Sequence, residues 1–378
     1  MRVPFSYLDR QFRAAAMNEP KQILDVILDD IKEFVKTGDF TLGKKVDEFE
    51  KKFASFVGVK HAIGVNSGTD ALFLSLKALG IGCGDEVITC AETFIATADA
   101  IAITGAKPVF VDVNDEFIID VDLIEAAITD RTKAIMPVWF TGNAPDMEKV
   151  LSIANKHKLL IVEDSCTAIN ATYKDKHAGS FGIAGAFSFH PLKNLNVWSD
   201  GGMITTDDDS LNEKLRMLRN YGLKSRNEVE IFGYNSRLDS LQAVVALRLL
   251  ADVKSYTDRR IMIAETYDRA LSKIPQIEIP IRHSHIRHVY HLYMVRVEDR
   301  DNLLKYCLDR GVEAKIHYPI PLPYQNCSRH LGYKPGDFPR TERDCKTIIT
   351  LPAHPYLTDD EINYTIETIL SFYKTKFC

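Results

Sequence analysis

Between residues 60 and 207, short runs of apolar residues alternate with stretches in which apolar residues recur every three or four positions. The runs are nearly continuous, as in strands covered on both faces, and the stretches between them have helical spacing. Strands are predicted at 61–65, 86–90, 108–113, 134–139, 159–163, 184–189 and 203–205, and helices at 69–79, 93–104 and 147–156. This alternation predicts an α/β fold with a mostly parallel central sheet flanked by helices.

The pattern changes after residue 238. One long helix is predicted over 238–274, and the remainder contains strands at 291–297 and 312–317 and helices at 301–309 and 359–372. A further helix, at 45–57, is expected to pack on the large sheet. We therefore predict a large domain over residues 1–240, which includes the N-terminal segment, and a smaller α+β domain over residues 241–378 that begins with the connecting helix.

Composition narrows the range of functions. The formal charge is 47 − 52 = −5 with no basic block, which argues against non-specific nucleic-acid binding. The first residues lack an apolar stretch of signal-peptide length, and no run is long enough to span a bilayer. The seven cysteines are odd in number and contain no CxxC pair. Reduced thiols in a cytoplasmic protein are therefore predicted, and a metal site is not.

Polar residues follow several predicted strands, at the sheet edge where α/β proteins bind ligands. Asp164 ends one strand, and Lys193 follows another. Burial favours the neutral amine of a lysine, which is a nucleophile toward aldehydes. An aspartate at a nearby strand end could keep a ring nitrogen protonated, so the pair indicates pyridoxal 5'-phosphate (PLP). Taken singly, Lys193 could be a structural lysine and Asp164 a helix cap or salt-bridge partner.

Three further segments are candidates for the same site. Gly68 and Thr69 open a helix directly after a strand, where backbone N–H groups can bind a phosphate or the helix can simply be capped. Phe94 could lie flat against a planar cofactor or belong to the core. Asn235 and Arg237 precede the long helix and could cap it or reach an anion across a subunit boundary.

In this order, these motifs resemble the sugar aminotransferases of the DegT/DnrJ/StrS family, which belongs to the aspartate aminotransferase superfamily with PLP fold type I. The resemblance runs from near Gly43 to Leu351-Pro352. It includes the Ser-Gly-Thr run at 67–69, the Glu-Asp strand end at 163–164, the run Ser-Phe-His-Pro-Leu-Lys-Asn-Leu at 188–195 and Asn-Ser-Arg at 235–237.

The resemblance implies a role for each motif. Lys193 would form the internal aldimine and then move the proton between substrate and cofactor, and Asp164 would pair with the pyridine nitrogen. Phe94 would stack on the ring. The phosphate would be held by Gly68, Thr69 and Ser188 and by Asn235 of a second subunit. The family also implies a homodimer with sites at the interface, an amino donor that is usually L-glutamate, and a keto sugar acceptor that is usually nucleotide-linked.

At two positions the sequence differs from the family pattern, and for this reason the resemblance does not determine the acceptor. Thr167 stands where the family usually has a glutamine that contacts the cofactor, and Trp139 stands near a usual histidine and is expected to reshape the pocket wall. The acceptor could therefore be a free keto sugar acid, a keto-cyclitol, a sugar phosphate or a small aldehyde. A non-catalytic PLP-binding regulator is the alternative from another class. Candidate contacts to the acceptor are Trp139, His190, Arg219, Lys224, Arg226, Arg237, Lys315 and His317, and the charged ones could equally be solvated surface residues.

Overall fold

The computed structural model describes residues 1–13 and 22–377, with side chains up to residue 374. The strands are β1 (His61–Val65), β2 (Glu86–Cys90), β3 (Lys107–Val111), β4 (Thr132–Ile135), β5 (Leu160–Asp164), β6 (Thr172–Tyr173), β7 (Lys176–His177), β8 (Ala184–Ser188), β9 (Gly202–Thr206), β10 (Leu223–Ser225), β11 (Glu228–Val229), β12 (Ile277–Glu278), β13 (Ile286–Arg287), β14 (Tyr293–Val297) and β15 (Ile348–Leu351).

The helices divide into two groups along the chain. Those of the N-terminal part are α1 (Leu8–Gln11), α2 (Ile23–Val35), α3 (Lys44–Val57), α4 (Gly68–Ala78), α5 (Ile95–Ile103), α6 (Met147–His157) and α7 (Asp209–Leu218). Those of the C-terminal part are α8 (Ser240–Leu250), α9 (Val253–Leu271), α10 (Arg300–Asp309), α11 (Pro339–Thr347) and α12 (Asp359–Phe377).

The central sheet has seven strands in the order β1-β9-β8-β5-β4-β2-β3. Neighbouring strands pair in parallel except at β9, which is antiparallel to both β1 and β8. Parallel neighbours need a long crossover, whereas β8 and β9 are joined by a loop without a helix, and the chain therefore returns antiparallel. This confirms the predicted α/β fold, and the loop from 189 to 201 carries Lys193.

Helices cover both faces of the sheet. On one face α4 packs over β8 and β9, in a cluster that includes Leu72, Val87 and Ile204. On the other face α3 brings Phe53 against Phe187 of β8, with ring centroids 5.0 Å apart. Because helices cover both faces of the sheet, side chains on both faces are apolar. The strands therefore appear in the sequence as continuous hydrophobic runs.

The C-terminal part forms its own core. β12, β14 and β15 make an antiparallel sheet, and residues of α9, α10 and α12 pack with it in one apolar cluster. Val3 joins this cluster and pairs with Val312, so the first residues of the chain are attached to the C-terminal part. Among the described helices, none combines the length and apolar character needed to cross a membrane.

Two predicted elements differ from the structure. The single helix over 238–274 is wrong, because it divides into α8 and α9 around Ala251 and Asp252. The apolar spacing continues across the break, but α8 packs on α2 and α3 whereas α9 packs on α12, so the chain must turn between them. The strand at 312–317 is also wrong: the segment makes only isolated bridges, from Val312 to Val3 and from Lys315 to Thr350.

Candidate active site

A cavity of about 400 Å³ lies at the carboxyl ends of β5 and β8. The sheet contributes Asp164 and Ser188 to its wall, the N-terminal segment contributes Phe5 and Tyr7, and Arg260 lines it from α9. The cavity is therefore closed by segments that are far apart in the sequence, at the edge of the sheet where the candidate residues were predicted to converge.

The pleat of β5 separates its two terminal acids, because successive side chains point to opposite faces of a sheet. Asp164 lines the cavity and is 5% exposed. Glu163 is fully buried and accepts four hydrogen bonds, from the N–H groups of Gly179, Phe181 and Gly182 and from the indole of Trp139. Glu163 therefore has a structural role, and Asp164 is the acid available to a ligand.

Asp164 is oriented by neighbouring donors. Its Oδ2 accepts a 2.7 Å hydrogen bond from the Thr97 hydroxyl, and its Oδ1 accepts from the Cys166 N–H at 3.2 Å. Thr97 lies in the first turn of α5, and its hydroxyl is 3.0 Å from that of Thr93, which precedes the helix. Among the described residues, no cation lies within ion-pair distance of this buried carboxylate, which leaves it available to a positively charged ring nitrogen.

Lys193 lines the same cavity from the loop after β8 and is partly exposed to it. Burial lowers the pKa of its amine, while nearby Cys166 and Asp164 act in the opposite direction. No described side chain forms an ion pair with it. The structure thus brings Lys193 and Asp164 to one cavity as an unpaired amine and an unpaired carboxylate.

The N-terminus of α4 forms another part of the wall. The Ser67 side chain caps the helix by accepting from the Asp70 N–H at 3.0 Å, and Gly68 and Thr69 line the cavity. A Cβ atom on Gly68 would lie 2.7 Å from Cβ of Ser188 and 2.8 Å from Sγ of Cys166. Close approach of this backbone therefore requires glycine, and the helix terminus is suited to hold a phosphate.

Phe94 and Thr167 also reach the cavity. Phe94 is 53% exposed at the start of α5, with its ring centroid 6.2 Å from that of Tyr318. Its exposed face leaves room for a planar group. The Thr167 hydroxyl donates to the Trp139 carbonyl at 2.7 Å, so it is committed to the backbone and is not held toward the cavity.

The predicted pocket-wall role of Trp139 needs correction. Trp139 is fully buried, and its indole donates to Glu163 at 3.0 Å. The wall at this point consists of its neighbours Val138 and Phe140. Because the hydrogen bond to Glu163 holds the indole in the core, Trp139 packs beneath the residues that form the wall and does not face the cavity.

Of the other residues predicted to contact the acceptor, some line the cavity and others do not. His190 and His317 line the cavity, and burial lowers the pKa of His317 to about 4. Lys315 is exposed, with its Nζ 4.5 Å from the ring centroid of Phe5 and no place in the cavity wall. Arg219 is buried in an ion pair with Glu50 and cannot meet an acceptor.

Asn235 and Arg237 lie away from the cavity of their own chain. Asn235 is exposed and forms a bridge with Asn220. Arg237 donates to the side chain of Asn220 at 3.2 Å and lies over the ring of Tyr221. Neither residue therefore takes part in the site of its own chain, and the predicted role of both across a subunit boundary remains a prediction.

Sequence reasoning missed several residues of the wall, among them Tyr7, Thr97, Arg260 and His291. Thr97 had a usable signal, since a polar residue early in the predicted helix over 93–104, close behind a strand end, lies near the sheet edge where ligands bind. The others are brought to the site only by tertiary structure.

The residues of the cavity fit PLP. Asp164 is a buried carboxylate that meets no cation in the described part of the chain, and it matches the ring nitrogen of this cofactor. The Lys193 amine with its lowered pKa matches the aldehyde, and the helix terminus at Gly68 matches the phosphate. Together with the seven-stranded sheet, they define a PLP enzyme of fold type I.

Comparison with known proteins identifies the group. The model of the DegT/DnrJ/EryC1/StrS aminotransferase family matches residues 21–370, and the chain belongs to this family. It is similar to a dTDP-3-amino-3,4,6-trideoxy-alpha-D-glucose transaminase of Streptomyces venezuelae, with 39% identity over 90% of each chain. It is also similar to a "Pleiotropic regulatory protein" of Geobacillus stearothermophilus, with 39% identity over 99% of each chain.

Solved structures agree with this assignment. The structure of S. venezuelae DesV in complex with a ketimine intermediate has a TM-score of 0.94 and 37% identity, over 98% of each chain. That of Bacillus subtilis NtdA with bound PMP, the aminated cofactor, has a TM-score of 0.90 and 32% identity, over 99% of this chain and 85% of the other. The protein is accordingly a PLP-dependent aminotransferase of the sugar aminotransferase family.

Proposed function

We propose that this enzyme transfers the amino group of L-glutamate to the keto group of a nucleotide-linked sugar. The observation that carries the proposal is the placement of Lys193 and Asp164 at one cavity, each without an ion-pair partner among the described residues. The relatives named as transaminases of nucleotide-linked sugars support this choice of acceptor.

The residues that line the cavity have separate roles in the proposed reaction. Bound PLP supplies an electron sink for the carbon that loses its proton. Asp164, which Thr97 fixes by a hydrogen bond, would hold the ring nitrogen protonated, and the Lys193 amine would move the proton at the reacting carbon. The N–H groups at the start of α4 would hold the phosphate, together with Ser188. Phe94 would cover one face of the ring.

We propose further that the active unit is a homodimer in which each subunit completes the site of its partner. Asn235 and Arg237 follow a segment that carries the fully exposed ring of Phe232 and the exposed side chain of Val229. Exposed apolar side chains at this density are typical of a protein interface. A cytoplasmic location stays a prediction from the cysteine content.

A panel of acceptors tests the proposal. The enzyme is first converted to its aminated form with L-glutamate and freed of the amino acid. UDP-linked and dTDP-linked 3-keto hexoses, a free keto sugar acid and a keto sugar phosphate are then added separately. The proposed function predicts that nucleotide-linked sugars restore the aldehyde form of the cofactor fastest and yield an aminated sugar by mass spectrometry. Faster reaction of an acceptor without a nucleotide would reject it.

The similarity to a protein named as a pleiotropic regulator supports a second candidate, a regulator that binds PLP without turnover. The combination of Lys193 with Asp164 favours catalysis, because a carboxylate that keeps the ring nitrogen protonated strengthens the electron sink, which cofactor binding alone does not require. The two candidates differ in the first half-reaction: an enzyme is aminated by a donor, and a regulator is not. Lys193→Ala provides the matched negative control.

A further inference from the structure

Glu92 is a buried acid that directly precedes the cavity residues Thr93 and Phe94. It is 2% exposed, and neither of its carboxyl oxygens has a hydrogen-bond partner in the described part of the chain. An ionised carboxylate at this position would be very costly, because it would have lost its hydration without gaining any donor in return. The geometry therefore favours the neutral carboxylic acid.

The neighbouring acids, in contrast, are well supplied with donors. Asp344 of α11 accepts from Arg296 of β14 at 2.5 and 3.0 Å, and from Arg343 at 3.2 Å. Asp112, which follows β3, accepts from the N–H and the hydroxyl of Thr341 at 2.9 and 2.7 Å. Together with Glu92, the charged residues of this cluster join the central sheet to the C-terminal part. We call it the junction, and it consists of Glu92, Asp112, Arg296, Arg343 and Asp344.

The surroundings of Glu92 oppose its ionisation. Burial raises the pKa of this carboxyl well above its usual value; the two other acids of the junction raise it further, and the two arginines lower it. Both arginines are already paired with carboxylates. The thiols of Cys90 and Cys345 also lie near Glu92, and burial raises the pKa of each, so both are neutral. Because the donors of the junction are committed to Asp112 and Asp344, the proton belongs on Glu92.

The segment that carries Glu92 continues into the active site. Thr93 and Phe94 line the cavity. The Thr93 hydroxyl is 3.0 Å from that of Thr97, which donates to Asp164 at 2.7 Å. A shift of this segment would therefore displace Phe94 and disturb the hydrogen bond that orients Asp164.

We propose that Glu92 is a proton-dependent switch between the junction and the cofactor site. With its proton, the carboxyl is neutral and the junction stays packed. When the proton leaves to bulk water, the buried negative charge drives the segment around Glu92 out of its packed position, and PLP is bound less tightly. The switch acts on stability and cofactor binding, whichever donor and acceptor the enzyme uses.

Glu92→Gln tests the switch, because it keeps the shape of the neutral acid and cannot ionise. Below about pH 4.5, the usual pKa of this side chain, the acid is protonated in the folded and the unfolded chain alike. Above it the unfolded wild-type chain releases the proton first, so wild-type stability falls until the folded-state pKa is reached. Relative to Glu92→Gln, the wild-type folding equilibrium constant should fall by up to about tenfold per pH unit in this window. Urea denaturation of the apo-proteins between about pH 5 and about pH 9 measures this ratio.

The affinity of the apo-proteins for PLP is the second readout, measured by fluorescence titration at the same pH values. Wild-type affinity relative to Glu92→Gln should fall over the window in which relative stability falls. The ratio cancels the ionisation of PLP and of Lys193, which both proteins share. Glu298→Gln, at an exposed acid directly after β14, is the matched control and should follow the wild type in both measurements.

Two results would overturn the proposal. A stability ratio that is constant across the pH range would mean that folding does not change the affinity of Glu92 for its proton. A stability ratio that follows pH while relative PLP affinity stays constant would mean that the junction does not act on the cofactor site. If Glu92→Gln does not fold, Glu92→Met takes its place: it cannot ionise either, it replaces an unsatisfied polar group by an apolar one of similar size, and the same two trends are expected.

Discussion

The phenolic hydroxyl of Tyr7 donates a 2.8 Å hydrogen bond to the backbone carbonyl of Lys193, which lies 186 positions further along the chain. Beside this contact, the side-chain amides of Gln11 and Asn196 exchange hydrogen bonds of 3.0 and 2.9 Å. Asn196 also donates to the carbonyl of Pro191. The N-terminal segment thus holds the loop that positions the reactive amine.

Tyr7→Phe removes this contact and keeps the ring. The Lys193 carbonyl then loses its donor in a buried setting, so we expect the free energy of unfolding to fall by about 1–2 kcal/mol. Amination of the cofactor by L-glutamate should also slow, because the loop is less well fixed. Urea denaturation and stopped-flow absorbance measure the two effects. Tyr306→Phe, which removes an exposed hydroxyl, should change neither, and an unaltered Tyr7→Phe protein would disprove the positioning role.

The two acids at the end of β5 are predicted to respond differently to neutralisation. Asp164→Asn should leave stability nearly unchanged and slow amination by at least about 10²-fold, because the ring nitrogen loses its charged partner. Glu163→Gln should place an NH₂ group among four donors and destabilise the fold by about 2–3 kcal/mol. Measuring unfolding and amination for both variants separates the roles. The account is contradicted if Glu163→Gln is the stable, slow variant.

Gly68→Ala tests the close packing at the phosphate end. The added methyl would overlap Ser188 and Cys166, and we expect a loss of about 1–3 kcal/mol in stability and weaker PLP binding. Fluorescence titration of the apo-protein with PLP gives the affinity. Gly82→Ala is the control, since its new Cβ would meet only the Thr104 carbonyl, at 3.4 Å. Equal PLP affinity in both variants would exclude the predicted cradle.

The lowered pKa of Lys193 predicts a pH-dependent stability of the apo-protein. Below the folded-state pKa the ammonium form is enclosed and destabilises the fold. As the pH rises toward the unfolded-state value near 10.5, the folded protein releases the proton first, and its stability increases. Lys193→Met removes this penalty. It should therefore stabilise the apo-protein at neutral pH, by an amount that shrinks as the pH approaches 10.5.

Urea denaturation of the apo-proteins across this pH range measures the difference. Lys254→Met, at an exposed position of α9, serves as the control and should show no such trend. A wild-type protein that matches Lys193→Met at every pH would mean that the Lys193 ammonium carries no desolvation penalty.

The sequence was most informative about site residues whose position follows from a neighbouring strand or helix. Asp164 and Lys193 could be assigned to one site because each follows a buried strand, and the carboxyl ends of such strands meet at one edge of the sheet. The glycine at position 68 could be recognised for the same reason, since the start of a helix directly after a strand predicts an anion site.

Features set by long-range packing could not be predicted. Nothing near Tyr7 or Arg260 in the sequence indicates that each one reaches the cavity. Trp139 was expected on the pocket wall, but its orientation depends on Glu163, whose four donors come from distant segments. The break between α8 and α9 is invisible in the apolar spacing because both helices are amphipathic in the same phase.

The central claim is that Lys193 holds PLP and that the bound cofactor accepts an amino group from L-glutamate. The most direct test is the absorption spectrum of the PLP-loaded protein before and after L-glutamate is added without any acceptor. We predict that the band of the lysine-bound cofactor is replaced by that of the aminated cofactor, and that Lys193→Ala shows neither the band nor the change. A wild-type spectrum that glutamate leaves unaltered, or a Lys193→Ala protein that behaves as the wild type does, would contradict the account.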